Sequence, residues 1–446
     1  MKIIIAGAGE VGTHLATLLS KERQDIILMD ESEEKLEKLE GNFDLMTLQA
    51  SPSSIVGLKE AGVDGADLFI AVTPDESRNM TACMLAHKLG AKKTVARIDN
   101  YEYLMHEHQE FWKQLGVDSL IFPEMLAAGE IVDAVKMSWI RQWWEVHGGA
   151  LVLIGVKLRQ GAEILNTPLY KLGEPETLPY HVVAIKRGND TIIPRGNDSI
   201  HENDIVYFMT KKKDIPHIRH IAGKDNYPDI RNVMVMGGSR IAVRTSHIIP
   251  DDMKLTIIEK ERKRCTWLTE QASRRALIVN GDGRDLNLLK EEGLTGTDAF
   301  VALTENSETN ILACLAAKRA GVSKTVARVE NIGYINMAES LDIGTIINKK
   351  LIAASHIYQM MLDADVSNVK CLTLANADVA EFTAKEGALV TRKPVKDLGL
   401  PKGVTLGGLI RDGKGELITG NSLISPGDHV VVFCSGLMIK KIEKYF

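Results

Sequence analysis

Lys2-Ile3-Ile4-Ile5-Ala6-Gly7-Ala8-Gly9-Glu10-Val11-Gly12 opens the chain, and the reading of this stretch decides the fold. Lys2–Ala6 is an unbroken apolar run, the pattern of a strand covered on both faces. Gly7, Gly9 and Gly12 follow at GxGxxG spacing, and Val11–Ser20 then repeats apolar residues with helical period. Asp30 stands at the end of the next apolar run, Asp25–Met29, 23 residues after Gly7. Strand, glycine turn, helix, strand and acid in this order form a dinucleotide-binding fingerprint. Gly7 is expected to make the tight turn, Gly9 to let the backbone approach a pyrophosphate, and Gly12 to let helix and strand pack closely. The helix start offers free N–H groups and a positive dipole end to phosphates. Asp30 is expected to bond ribose hydroxyls and to repel a 2′-phosphate, which favours NAD(H) or an adenine nucleotide over NADP.

The alternation continues outward. The pattern predicts a charged helix over Glu31–Glu40, strands over Leu68–Thr73, Thr94–Ile98 and Ser119–Phe122, and helices over Asn79–Leu89 and Glu124–Lys136. Apolar strands alternating with helices indicate a parallel α/β sheet. Thr73, and Arg97 on a later strand, fall at the carboxyl rim, where open α/β sheets bind ligands. Thr73 reads either as a nucleotide contact or as a turn cap. Arg97 reads either as a phosphate partner or as one half of an ion pair.

The chain then repeats itself. Residues 62–100 align with 293–331 at a constant offset of 231, with 17 of 39 positions identical. Gly62/Gly293, Asn79/Asn310, Cys83/Cys314 and the block Lys93–Arg97 with Lys324–Arg328 are among them. A second unit repeats at offset 224, pairing Arg187, Gly196, Ile200 and Asp204 with Arg411, Gly420, Ile424 and Asp428. The expected organisation is therefore a tandem duplication. It comprises a Rossmann-like domain at 1–138, a small α+β domain at 139–225, a second Rossmann-like domain at 230–366 and a second small domain at 367–446. Leu151–Lys157, His181–Lys186, Thr191–Ile193 and Ile205–Thr210 are the predicted strands of the first small domain. Trp139–Trp144, between large and small units, reads as a partner contact or as an interdomain hinge.

The second glycine loop departs from the first. Gly237-Gly238-Ser239-Arg240-Ile241-Ala242 places Ser and Ala where the first copy has Gly9 and Gly12, with Glu259 as the acid. A Cβ at Ser239 crowds a pyrophosphate, whereas Arg240 offers it a cation. Thr304 and Arg328 are the second-copy equivalents of Thr73 and Arg97.

Composition narrows the function. Fifty-four basic against 59 acidic residues give a net charge of -5, which argues against sequence-independent nucleic-acid binding. No basic cluster is longer than the three residues of Lys211-Lys212-Lys213, too short for docking on anionic lipid. Apolar runs fall short of the ~18 residues of a membrane span. A soluble, cytoplasmic chain is the expectation. The five cysteines are scattered without a C-x-x-C pair, as expected of reduced, buried thiols. P-loop and G-x-S-x-G motifs are lacking, and the twelve histidines form no repeated metal-like pattern. No catalytic residue and no metal ligand is assigned. Nucleotide sites without adjacent acid–base groups point to sensing, with an NAD-dependent oxidoreductase of duplicated fold as the alternative.

Taken together, Gly7–Gly12, Asp30, Ala61-Gly62 to Asp67, Phe69–Thr73, Val95-Ala96-Arg97 and Ile192-Ile193-Pro194 to Asp204 resemble the TrkA family. These are the regulatory subunits of bacterial Trk-type potassium uptake, built from paired RCK N- and C-terminal domains. The resemblance spans essentially the whole chain. It implies a ligand-gated regulator that binds NAD(H), with ATP or ADP as further regulatory ligands. It also implies a homo-oligomeric dimer or tetramer ring, peripheral on the cytoplasmic face beneath a potassium-translocating subunit of TrkH/TrkG type. An RCK sensor of another cation transporter is the neighbouring reading. By the same resemblance, Gly7, Ala8, Gly9, Glu10 and Val11 would hold phosphates and Asp30 the ribose, completed by Thr73, Pro74 and Arg97. Gly237, Gly238, Ser239, Arg240, Ile241, Glu259, Thr304 and Arg328 would form the second site.

Overall fold

Six short aliphatic runs build the first sheet: β1 (Lys2–Ala6), β2 (Asp25–Asp30), β3 (Met46–Gln49), β4 (Leu68–Ala71), β5 (Thr94–Arg97) and β6 (Ser119–Ile121). The computed structural model describes residues 1–20, 24–37, 45–173, 177–188, 190–361, 366–372, 377–435 and 438–446. All ladders are parallel, in the order β3-β2-β1-β4-β5-β6. Ile3, Ile4 and Ile5 are fully buried, as an apolar run covered on both faces requires. The strand order reverses between β1 and β4, and a crevice for ligand lies at such a point, outside the carboxyl ends.

The elements agree closely with the sequence pattern, and the differences have local causes. The helix predicted from Asn79 starts at Glu76, because Asp75 caps it by accepting from the Arg78 amide. It ends at Gly90, whose φ of 118° takes the left-handed position. The charged helix is Glu33–Glu37, and its expected residues 38–40 lie outside the described residues. Strand β3 has no counterpart in the prediction, since its four residues are exposed or half-buried and lack a continuous apolar signal.

Residues 1–126 and 349–361 form one compact unit, and residues 127–348 and 362–446 form another. In the first, the helix Lys349–Met361 packs on the helix Glu10–Ser20, although more than 300 residues separate them in the chain. Lys349 Nζ meets Glu124 at 2.9 Å, and Lys350 Nζ meets Glu10 at 3.1 Å.

The second unit holds three sheets. The first small sheet comprises β7 (Gln142–Val146), β8 (Leu151–Lys157), β9 (Tyr180–Arg187), β10 (Asp190–Ile192) and β11 (Ile205–Thr210), all antiparallel in the order β10-β9-β11-β8-β7. The second Rossmann sheet comprises β12 (Asn232–Met236), β13 (Lys254–Glu259), β14 (Ala276–Asn280), β15 (Ala299–Ala302), β16 (Lys324–Arg328) and β17 (Thr345–Ile347). Its order, β14-β13-β12-β15-β16-β17, copies the first. The second small sheet comprises β18 (Val366–Leu372), β19 (Ala377–Thr383), β20 (Val404–Arg411), β21 (Lys414–Leu417) and β22 (His429–Ser435), in the order β18-β19-β22-β20-β21.

The aromatic segment expected as a hinge or partner contact is in part an edge strand. Gln142–Val146 pairs with β8, and Trp139 and Trp143 are buried in the first small core with Ile154, Phe208 and Ile218. Alternate side chains of an edge strand supply core aromatics, a pattern too short to separate from a hinge in sequence. The offset-224 residues are likewise structural. Arg187 donates to both oxygens of buried Asp204 at 3.0 and 2.8 Å, and Arg411 does the same to Asp428 at 2.9 and 2.6 Å. Cys83 and Cys314 are fully buried in equivalent helices, and burial pushes the Cys314 thiol up to about 12. Cys265 departs from the expectation in being only partly buried.

Asp342 organises the charge in the second unit. Arg141 Nη2 and Lys318 Nζ stand 2.5 Å from its carboxylate, Lys157 Nζ 3.3 Å, and Arg159 is bonded to it as well. Burial pushes the Asp342 carboxyl up, but the fields of Arg141, Lys318 and Lys157 outweigh it and hold the group far below the usual carboxylate range. Asp342→Asn leaves these cations facing one another and is expected to destabilise this unit by about 3 kcal/mol, read as a lowered urea midpoint. The wild-type contribution is present in full above the ~4 of an unfolded aspartate and falls as pH drops from there toward the folded value. The gap between variant and wild type should therefore narrow on acidification below that point.

Candidate nucleotide-binding site

At the end of β1 the chain turns at Gly7, whose φ of 115° favours glycine and whose amide donates to Met29 O at 2.8 Å. A Cβ added to Gly7 would lie 3.0 Å from the Thr73 amide nitrogen, so the ends of β1 and β4 meet here. A Cβ at Gly12 would lie 1.9 Å from Gly7 O, which fixes the helix Glu10–Ser20 against the turn. Gly9 differs from both: a Cβ there meets nothing within 4 Å. The open space lies at a helix start, where the first-turn amides lack intrahelical acceptors. The three glycines thus differ: Gly7 and Gly12 are held by close approach, and only at Gly9 would a Cβ find open space.

Asp30 closes one side of the loop. Its Oδ2 accepts from the Ala8 amide at 2.7 Å and its Oδ1 from the Ser32 amide at 2.9 Å, with Lys35 Nζ at 3.4 Å. A carboxylate has about four acceptor positions; the two backbone amides orient this one, and the exposed Lys35, at 3.4 Å from both oxygens, occupies the positions that a ribose hydroxyl would have to take over. Lys35, which the sequence pattern does not single out, tempers the charge that Asp30 presents.

Thr73 and Arg97 are tied together by Asn79. Asn79 Oδ1 accepts from the Thr73 amide and hydroxyl at 2.9 and 2.7 Å, and its Nδ2 donates to Thr73 O and Arg97 O at 3.0 and 2.9 Å. The Thr73 hydroxyl is therefore turned inward as a cap, and Pro74 beside it is exposed. The Arg97 guanidinium lies 3.5 Å from Asp99, and its Nε is buried without a hydrogen-bond partner among the described residues. Lys349 and Arg97 both act on buried Glu124. Burial raises that carboxyl, but Lys349 and then Arg97 outweigh it and keep it below the ordinary value. Glu10 and Val11 occupy the first helical turn, and Glu10 is exposed but paired to Lys350. Asn79, Lys349 and Lys350 were not identified as site residues from sequence. Asn79 was visible only as a repeat identity, and the lysines come from a helix remote in the chain.

The second copy keeps the scaffold and alters the loop. Gly237 turns with φ 100°, Glu259 Oε2 accepts from the Gly238 amide at 2.8 Å, and Asn310 binds Thr304 and Arg328 as Asn79 does Thr73 and Arg97. Ser239, however, is the N-cap of the helix Arg240–Ile248, and its hydroxyl accepts from the Ala242 amide at 3.3 Å. That hydroxyl supplies an acceptor where a phosphate oxygen would otherwise sit. Ile241 and Ala242 are buried, and Arg240 is exposed on the first turn. The cation bonded to this loop is Arg264, which donates to Gly238 O at 2.9 Å and stacks 3.7 Å over Trp267. Arg328 Nε is paired to Glu330 at 2.7 Å.

Two Rossmann-like sheets of identical strand order, each followed by a small antiparallel module, define a duplicated nucleotide-binding scaffold of RCK type. The TrkA-N domain family matches residues 3–123 and 233–349, and the TrkA-C domain family matches residues 153–223 and 379–446. The chain is 30% identical to the Trk system potassium uptake protein TrkA of Halomonas elongata, over 100% of this chain and 98% of that protein. It is 31% identical to the TrkA of Haemophilus influenzae, again over 100% and 98%. Among solved structures, the GsuK RCK domain superposes with a TM-score of 0.63 at 13% identity, covering 100% of this chain and 94% of that one. The GsuK channel bound to NAD superposes at 0.62 and 12%, covering 100% and 78%. The chain belongs to the TrkA family.

The glycines separate by experiment. Gly12→Ala forces a methyl onto Gly7 O and should destabilise the first unit by about 1–3 kcal/mol. Gly9→Ala, entering open space, should change the ligand-free stability by no more than about 0.5 kcal/mol. Thermal melts of the two variants check this. Equal losses would show that Gly9 is a packing residue.

Proposed function

We propose that this protein is a non-catalytic regulatory subunit of Trk-type potassium uptake that senses NAD(H) or adenine nucleotides at its first glycine loop. The carrying observation is the helix start at Gly9, open to solvent and uncapped by a side chain, beside an oriented Asp30. NAD(H) fits these residues. The first-turn amides from Glu10 to Gly12 would hold the pyrophosphate, Asp30 a ribose, and Arg97, with its Nε unpaired, a phosphate oxygen. The family relatives are named for potassium uptake, and a GsuK channel of similar fold is described as bound to NAD and, at a TM-score of 0.50, to ADP.

The second loop, capped by Ser239, is assigned weaker nucleotide binding. A ligand there gains less, because the Ala242 amide already has an acceptor. Signalling follows from charge. Phosphates arriving at Gly9 stand next to Glu10 and compete with it for Lys350, the residue through which the helix Lys349–Met361 senses the loop. A nucleotide biases the protein only as far as its affinity differs between two arrangements. The partner is a membrane potassium-translocating subunit of TrkH/TrkG type, engaged at the cytoplasmic face by a homo-oligomeric ring. No helix among the described residues is long and apolar enough to cross a membrane, so permeation through helices is assigned to the partner.

Calorimetry with NADH, ATP and ADP tests the binding, and potassium uptake in cells lacking their own subunit tests the role. Gly9→Ala and Asp30→Ala should each weaken first-site binding at least tenfold, about 1.4 kcal/mol, and fail to restore uptake; Gly9→Ala should fold normally, whereas Asp30→Ala, which orphans the buried Ala8 amide, should also cost about 1–3 kcal/mol of stability. Full uptake by the Gly9→Ala, Asp30→Ala double variant would overturn the regulatory role of this loop. Sustained NADH oxidation with a small substrate would overturn the non-catalytic reading.

A further inference from the structure

His147, Glu381 and His429 converge in the second unit, although 234 residues separate the first two. His147 follows β7 of the first small module, Glu381 lies within β19, and His429 begins β22 of the second. In the β19–β22 ladder Thr383 faces His429, so Glu381, two residues earlier, shares that face of the sheet. The Glu381 carboxylate is almost fully buried, with its side chain 2% exposed. The Nδ1 atoms of His147 and His429 approach the same carboxylate oxygen at 3.2 and 3.3 Å, and the rings stand 4.8 Å apart between centroids. A ligand atom from each residue lies within 4.8 Å of those of the other two.

We propose that these residues form a divalent transition-metal site, of Zn²⁺ class, that clamps the first small module to the second. Four-coordinate zinc bonds nitrogen and carboxylate oxygen at about 2.0–2.2 Å, which separates neighbouring ligand atoms by about 3.3–3.5 Å in a tetrahedron. The two nitrogen–oxygen separations already approach that spacing. Imidazole and carboxylate together select Zn²⁺, Co²⁺ or Ni²⁺ over Mg²⁺ and Ca²⁺, which prefer all-oxygen shells. Three protein ligands leave a fourth position for water or an anion, and the Thr383 hydroxyl, 3.2 Å from His429 Nδ1, stands beside it.

One further observation favours an ion over simple hydrogen bonding. The backbone at His147 is unusual. His147 has φ 47°, and Gly148 and Gly149 follow at 64° and 92°. A left-handed conformation at a residue with a Cβ is strained, and such strain concentrates at functional positions. Here it turns an otherwise exposed imidazole back onto Glu381. None of this depends on nucleotide binding.

The test uses the full chain without a polyhistidine tag, stripped with chelator and dialysed. Calorimetric titration with Zn²⁺ should give one ion per chain, and Co²⁺ should produce the visible absorption of a low-coordinate N/O site. His147→Gln, on the exposed turn, should leave the circular dichroism spectrum unchanged. It should weaken Zn²⁺ binding by more than the roughly 10–100-fold that follows loss of an outer-shell partner. Glu381→Gln and His429→Ala should abolish binding. Sub-stoichiometric uptake by the wild type, or unchanged Zn²⁺ affinity in a folded His147→Gln, His429→Ala double variant, would overturn the proposal.

Discussion

One short-range contact sets the geometry of the first nucleotide loop: the approach of the helix Glu10–Ser20 to the turn at Gly7. No side chain fits between Gly12 and the Gly7 carbonyl, since a Cβ would fall 1.9 Å from that oxygen. With the helix held there, its amino end must point at the carboxyl ends of β1 and β4. That same approach leaves Gly9 projecting into free space. Asp30 then serves two purposes, because its bond to the Ala8 amide pins the loop and turns the carboxylate toward the opening. The site is a consequence of packing, and packing alone accounts for two of its three glycines.

Comparing the copies separates scaffold from ligand chemistry without recourse to other sequences. Asn79 and Asn310 make the same four bonds, and the Arg187–Asp204 and Arg411–Asp428 pairs are equivalent down to the carbonyls they also reach, Ser199 and Leu423. These groups satisfy buried polar atoms that would otherwise be expensive to bury. The loops, by contrast, have diverged at Gly9/Ser239 and Gly12/Ala242. The second loop accommodates a buried methyl at 242 and caps its own helix with Ser239. The second helix carries its own side-chain cap, whereas the glycine at the equivalent place in the first has no side chain to supply one. The asymmetry lies in the loops and leaves the strand order unchanged.

What the sequence made legible was local in the chain. The strand–turn–helix of Lys2–Ser20 and the parallel strand–helix alternation of both large sheets follow from apolar runs, turn residues and the offset-231 repeat, each readable within a few tens of residues; β3, without an apolar run, was missed. The strands of the first small domain were also found, except β7, whose Trp143, with Trp139 just before it, carries a core signal identical to that of a contact patch. The groups that escaped were brought in from afar. Lys349 and Lys350 reach the first loop from a helix in the second repeat, and His147 meets Glu381 and His429 only because two small sheets come together. Periodicity carries no information about such meetings. Twelve histidines scattered without a shared spacing gave no reason to join these two with a glutamate.

The charge layout explains how a mildly acidic chain can attract anionic nucleotides. Net charge is a property of the whole surface, but binding responds to the local field within about 10 Å. In the first unit, Glu124 is paired to Lys349 with Arg97 also acting on it, Glu10 to Lys350 and Asp30 to Lys35, so each of these carboxylates has a cation partner. The helix dipole then acts on phosphates without opposition from an uncompensated acid. At the second loop Arg264 is anchored on Gly238 O and Arg328 on Glu330, which removes donors that a phosphate would need. Cations at both loops are paired within the protein; the first loop differs in that the buried Arg97 Nε has no hydrogen-bond partner among the described residues, whereas the equivalent Arg328 Nε is bonded to Glu330.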